Sequence, residues 1–168
     1  MTGRSAAGPA LYHVSVTPEA PRAVVGLLHG YADHAARYAH VMDAWAEAGL
    51  ASIALDMRGH GRAAGARGDC RRFEEYLDDA SELARLVADR AQGLPSFLFG
   101  HSFGGLVATL DVLASPRVWR GLLLSAPFIG RAAAPAWKLA LGRMASRVAP
   151  PAWRCPPGSP APTSPTMP

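Results

Sequence analysis

Between residues 11 and 126 short apolar runs alternate with longer stretches in which apolar residues recur every three to four positions. Residues 11–16, Leu-Tyr-His-Val-Ser-Val, alternate apolar and polar side chains as an outer strand does. Residues 23–29, 51–56, 96–100 and 121–126 are nearly continuous in apolar character, the pattern of strands buried on both faces. Between them, residues 36–48 place Tyr38, Val41, Met42 and Trp45 at helical spacing, with Gly49 as the stop. From Arg72 to Ala91 the residues Phe73, Tyr76, Leu77, Leu83, Leu86 and Val87 make a second apolar stripe, ended by Gly93 and Pro95. A third helix is expected from about Ser102 to Ala114. Strands and helices in alternation require crossover connections, so the pattern predicts an α/β fold with a mostly parallel, doubly wound sheet.

After Pro127 the pattern changes. Residues 131–149 fit one amphipathic helix, with Trp137, Leu141, Met144 and Val148 on one face and Arg143 and Arg147 among its basic residues. Such a helix suits a packed cover or peripheral contact with an anionic lipid surface. Residues 150–168 are rich in proline and small polar residues, lack periodicity and are expected to be disordered.

The charge and cysteine content narrow the function classes. The formal charge of +4 rests on arginine, Lys138 being the only lysine, and the arginines are scattered rather than clustered with aromatics. A nucleic-acid partner needs such clustering on one face, so none is expected. Cys70 and Cys155 make neither a disulfide framework nor a paired metal motif, which predicts a reduced, cytoplasmic setting. The opening residues contain no apolar stretch long enough for a signal peptide, and no run approaches a membrane span, so a soluble protein is expected. Nothing in the sequence sets an oligomeric state.

The sharpest chemical feature is Gly100-His101-Ser102-Phe103-Gly104, a G-x-S-x-G sequence between a predicted strand and a predicted helix. A serine on a strained strand-to-helix turn needs tiny neighbours, which Gly100, Gly104 and Gly105 provide. The helix N-terminus then offers free N–H groups near the hydroxyl. A second element, His29-Gly30-Tyr31, ends an early strand. In hydrolases built this way a backbone N–H from such a loop joins the N–H after the nucleophile to hold an oxyanion. Ser102 is thus the candidate nucleophile, and Tyr31 and Phe103 are the candidate backbone donors. One such donor is worth about 2.7–4 kcal/mol. His29, Gly30, Gly100, His101 and Gly104 are supporting loop residues, with His29 read as a packed, hydrogen-bonded histidine rather than a base.

Four segments carry a resemblance to a known family. His29–Tyr38 resembles a His-Gly-x-x-acid-His-x-x-Arg-Tyr segment, Asp56–Gly65 an Asp-x-Arg-Gly-His-Gly loop, Gly100–Gly105 an elbow, and Leu122–Gly130 the strand leading into a lid. Together they resemble the monoacylglycerol lipase and lysophospholipase-like α/β-hydrolases, also labelled the serine aminopeptidase-like group. The resemblance covers residues 11–148. It implies an α/β-hydrolase core over 11–130, the start of a lid over 131–149, and cleavage of a small acyl ester through an acyl-enzyme on Ser102. It implies no cofactor and no metal.

The sequence departs from this pattern after Ser102. In this fold the triad follows the order serine, acid, histidine, yet the only later acid is Asp111, inside a predicted helix, and no histidine follows. His34, His40, His60 and His101 all lie upstream, at positions the family does not use as the base. The expectation is an incomplete core whose late strands, acid and histidine are missing, with weak activity at most. A frame shift in the coding sequence, or a gene-model error, would account for both the lost half and the proline-rich end, and a true short, degenerate protein is the rival account. Two other readings fail on the residues. Gly59-His60-Gly61-Arg62-Ala63-Ala64 fits a dinucleotide fingerprint in letters, but a helix should open at once and does not. His29, Asp33, His34 and His40 lack the further ligand that zinc requires. The non-enzyme alternative is a catalytically dead hydrolase fragment that binds an acyl ligand or a partner.

Overall fold

The computed structural model describes residues 11–115 and 119–130. The expectations for a lid over 131–149 and a disordered end over 150–168 lie outside the described residues. Five strands form one sheet: β1 (Tyr12–Val16), β2 (Ala23–Leu28), β3 (Leu50–Asp56), β4 (Ser96–His101) and β5 (Gly121–Ser125). Their spatial order is β1-β3-β2-β4-β5. β1 runs antiparallel to β3, and the other pairings are parallel. Helices α1 (Ala39–Glu47), α2 (Glu74–Ala91) and α3 (Phe103–Ala114) connect the strands.

Strand periodicity divides the core between the two faces of the sheet. Val24 and Leu28 of β2, Ile53 and Leu55 of β3 and Leu98 of β4 join Leu83 and Val87 of α2 and Val107 of α3 in one cluster. The alternate residues Leu27 and Ala54 join Met42 of α1, with Trp45 and Phe99 packed edge-to-face beside them. Each central strand is therefore covered on both sides, which explains why β2 and β3 carry almost no polar residue.

Two elements differ from the sequence expectation. The helix expected over 36–48 begins as a 3-10 turn, Ala35–Tyr38, and becomes α-helical only at Ala39. Asp33 shapes this entry, because its carboxylate accepts the His34 N–H at 2.9 Å and the Tyr38 hydroxyl at 3.0 Å and pairs with Arg37. Such local side-chain bonds compete with a regular first turn. The second difference is β5, expected to be buried on both faces. Leu123 and Leu124 are 45% and 39% exposed, because among the described residues β5 pairs with β4 alone and lies at the sheet edge. Among the described residues no helix is long and apolar enough to cross a membrane.

Candidate active site

The elbow forms where β4 runs into α3. Ser102 holds φ 50° and ψ −114°, a conformation that L-residues rarely adopt. Its backbone is fastened on both sides: the Ser102 N–H donates to Ser125 O at 2.9 Å, and its carbonyl accepts the Gly105 N–H at 3.0 Å and the Phe128 N–H at 2.9 Å. Strain of this kind costs about 1–3 kcal/mol and persists only where the surroundings over-determine it. Here the end of β5 supplies that restraint.

The flanking glycines are needed for close approach. A Cβ on Gly100 would fall 2.6 Å from Gly104 O, and one on Gly104 would fall 2.3 Å from Leu28 O and 2.4 Å from His29 O. One on Gly105 would fall 2.8 Å from Pro127 Cβ. Backbone therefore packs on backbone where α3 starts, and the helix N-terminus sits against the end of β2. The Phe103 N–H belongs to the first turn of α3, which has no intrahelical acceptor.

The loop after β2 reaches the same place. A Cβ on Gly30 would lie 3.4 Å from Ser102 Cβ, so Gly30 packs directly against the candidate serine, with Tyr31 next in the chain. Among the described residues no acceptor takes the Tyr31 N–H. His29, fully buried, holds the loop from behind: the Met57 N–H donates to its Nε2 at 3.1 Å, which leaves the proton on Nδ1 to donate to Gly30 O at 2.7 Å. Burial lowers its pKa to about 4, with the nearby His60 ring adding to the depression and the Gly30 bond, Asp56 and Asp33 opposing it. Both ring nitrogens of His29 thus meet backbone groups, and burial keeps the ring neutral near pH 7.

Three further groups of this site were not assigned roles from sequence. Asp56, at the end of β3, accepts the Ala35 N–H at 2.6 Å and the Arg62 N–H at 2.7 Å, joining the loop after β2 to the loop after β3. Arg58 reaches back to α2, where its Nη2 meets Asp79 at 2.6 Å while its own N–H donates to the same carboxylate at 2.8 Å. Tyr31 donates its hydroxyl to Gly68 O at 2.7 Å. Asp56 and Arg58 lie in the quoted Asp-x-Arg-Gly-His-Gly segment, so the signal was present, but spacing alone does not say which amides a carboxylate meets.

The remaining candidates separate. His101 directs Nδ1 to Ser125 Oγ at 3.1 Å, His40 is exposed, and His60 is buried with Nδ1 against Arg58 O at 2.9 Å. Asp111 is buried in α3 and accepts the Trp119 indole N–H at 2.8 Å; burial raises its pKa and that bond opposes the rise. It is an internal structural acid. Residues 59–64 form turns ahead of α2 and open no helix. Among the described residues no group of three or more His, Cys, Asp or Glu side chains is placed to hold a metal, and both ring nitrogens of His29 face backbone groups. A separate groove over α2, lined by Arg58, Cys70, Arg71, Glu75 and Arg85 among others, does not include Ser102.

Comparison with known proteins bears on this geometry. A family profile described as serine aminopeptidase, S33, matches residues 19–164. A monoacylglycerol lipase of Mycolicibacterium smegmatis is 39% identical over 119 residues, covering 71% of this chain and 42% of the relative. Phospholipase YtpA of Bacillus subtilis is 37% identical over 112 residues, 66% of this chain and 42% of its own length. The chain thus spans less than half the length of these curated relatives. Among solved structures, a monoacylglycerol lipase of Paleococcus ferrophilus superposes with a TM-score of 0.68 at 29% identity, over 82% of this chain and 51% of that one. A mostly parallel sheet, a strained serine at the strand-to-helix turn and a profile match over most of the sequence agree: the chain belongs to the serine aminopeptidase, S33, family of α/β-hydrolases.

Proposed function

We propose that this chain is the nucleophile-bearing part of a serine hydrolase of carboxylic esters, of monoacylglycerol lipase or lysophospholipase type. The observation that carries the reading is Ser102 at φ 50°, held on the turn between β4 and α3 with Gly30 against its side chain. In this reading the Ser102 hydroxyl oxygen bonds to the ester carbonyl carbon while its proton passes to a base. The Tyr31 and Phe103 N–H groups hold the oxyanion that develops, and the C–O bond to the leaving alcohol breaks as the alcohol takes up a proton. Water then hydrolyses the acyl-enzyme. No cofactor or metal takes part. The substrate class is supported by the names of the relatives, two of them a monoacylglycerol lipase and a phospholipase. A reduced, cytoplasmic setting belongs to the same reading and is supported by Cys70, a free thiol. Peripheral contact with lipid is supported by the basic amphipathic pattern of residues 131–149.

A second reading, a catalytically inert member that keeps the fold, is favoured by one observation. Among the described residues the one acid after Ser102, Asp111, is committed to Trp119, and no histidine is hydrogen-bonded to the Ser102 hydroxyl. The base must come within about 3 Å of the serine hydroxyl. An elbow with its oxyanion donors but no base retains weak reactivity.

Incubation of the full chain with a fluorophosphonate, followed by intact mass, tests the primary reading. One adduct on Ser102, absent in Ser102→Ala, is the expected result. A folded chain that takes no adduct overturns it, and an adduct without turnover of a p-nitrophenyl ester establishes the second reading.

A further inference from the structure

We infer that the phenol of Tyr31 is a tether that fixes the oxyanion loop against the loop following β3, which makes its side chain a positioning group for the ester-cleaving step. The inference rests on the proposed hydrolase reading and goes past it, because that reading uses only the backbone of residue 31.

Tyr31 is 58% exposed, yet its hydroxyl donates to the carbonyl of Gly68, 37 residues away, at 2.7 Å. Its ring lies edge-on to Phe103 at 5.9 Å and to His60 at 5.3 Å between centroids. The two residues proposed to donate to the oxyanion therefore touch through their side chains, and Phe103 is seated in turn on Tyr76 at 5.0 Å. Edge-to-face rings resist sliding and fix separation.

The far end of the tether is anchored. Gly68 lies in the same loop as Arg58, Arg62 and His60, and that loop is fastened to α2 by the Arg58–Asp79 pair and to β3 by the Asp56 carboxylate. Gly68 holds φ +63°, and a Cβ there would lie 2.7 Å from the Tyr31 hydroxyl. The phenol thus occupies the space that a side chain at residue 68 would take. The near end is the Gly30–Tyr31 backbone beside Ser102. With the ring held at its tip and along its edge, rotation about the residue 31 backbone, which would swing the N–H away from the oxyanion position, is opposed. A loop residue without that restraint would sample other orientations, and oxyanion stabilisation depends on donors already aimed.

The test uses the full chain and a fluorophosphonate, whose phosphoryl oxygen takes the oxyanion position as fluoride leaves and the Ser102 proton passes to solvent. The maximal labelling rate and the half-saturating concentration are measured for the parent chain, Tyr31→Phe, Gly68→Ala and the double variant. Tyr31→Phe keeps the ring and the backbone N–H and removes only the bond. It is expected to lower the maximal rate roughly two- to tenfold, the range of one neutral hydrogen bond, with half-saturation unchanged. In the Gly68→Ala background the same substitution is expected to have no further effect, since the strain of Ala at a positive φ cancels around the cycle. An unchanged rate, or additive effects, overturns the tether. Deuterium uptake is read alongside. Tyr31→Phe should speed exchange at least twofold in the peptide covering residues 30–35 while peptides from β2 and β3 stay as in the parent, and uniform or absent change overturns the proposal. If the parent chain takes no label, the hydrolase reading fails while the exchange measurement still decides the tether.

Discussion

Acid should loosen this fold through one residue, His29. Its ring is fully buried between the Met57 amide and the Gly30 carbonyl, and the Met57 N–H needs an unprotonated Nε2. A proton there replaces an accepted hydrogen bond with two donors face to face and puts a charge beside the His60 ring, 5.3 Å away. Burial first, and His60 next among the depressing influences, lower the pKa from 6.5 to about 4. Because the folded value is the lower one, the unfolded chain binds the proton first as pH falls. His29 therefore leaves stability untouched well above pH 6.5 and costs stability progressively from there to about pH 4. The difference of 6.5 − 4 = 2.5 between the two values sets the size of the effect. At about 1.36 kcal/mol per unit it saturates near ~3.4 kcal/mol, and about 2 kcal/mol of it is expressed at pH 5.

Urea unfolding of the full chain at pH 7.5, 6 and 5, for the parent and for His29→Gln, isolates this contribution. Gln keeps a donor and an acceptor but does not titrate, so the variant starts less stable at pH 7.5 and the gap narrows as pH falls. The comparison also cancels His13, whose pKa is lowered too, chiefly by burial. A gap between the two chains that stays constant from pH 7.5 to 5 would refute the assignment of a neutral, amide-accepting His29.

Two other substitutions probe the supports of the site. Gly104→Ala places a methyl 2.3 Å from Leu28 O, a backbone atom that cannot turn aside, so α3 must lift from β2. Overpacking of this kind costs about 3 kcal/mol; a drop in urea stability of that size with loss of Ser102 labelling is expected, and a fully stable, fully reactive variant contradicts the packing. Asp79→Asn strips charge from a carboxylate that takes three groups of Arg58, namely its N–H, Nε and Nη2. Arg58 then keeps only Glu75, 3.5 Å from its Nη1, so the loss is expected below the about 3–5 kcal/mol of a buried charge left with no partner, whereas Arg58→Met with Asp79→Leu should recover much of it in the same unfolding assay.

The sequence made the sheet legible because its central strands are buried on both sides. Ala23–Leu28 and Leu50–Asp56 read as strands from their unbroken apolar character, and their cover by α1 on one face and by α2 and α3 on the other is why that character is unbroken. The same rule misled at β5. Gly-Leu-Leu-Leu-Ser reads as an interior strand, but burial is set by neighbours rather than by the strand itself, and Leu123 and Leu124 find few among the described residues. Ser102 was legible from its glycines, since Gly100, Gly104 and Gly105 each lie where a methyl group would strike another part of the chain. The supports were not. That Asp79 on α2 belongs to Arg58, or that Tyr31 reaches Gly68, depends on loop paths that no local pattern encodes.

What unites those supports is that most act on backbone amides. Asp56 binds two N–H groups from two different loops, Asp79 binds the Arg58 N–H as well as its guanidinium, and His29 binds Met57. The proposed oxyanion donors are themselves backbone N–H groups, so their aim is set by where the peptide planes lie. A carboxylate clamped on amides of the same loops fixes those planes more directly than packing of side chains on a surface loop would. It also explains a glycine. Asp56 brings its carboxylate so close to the turn that a Cβ on Gly61 would fall 2.1 Å from its Oδ2. Gly61 and Asp56 are thus one device within Asp-x-Arg-Gly-His-Gly: the acid can reach the Arg62 amide only because residue 61 has no side chain.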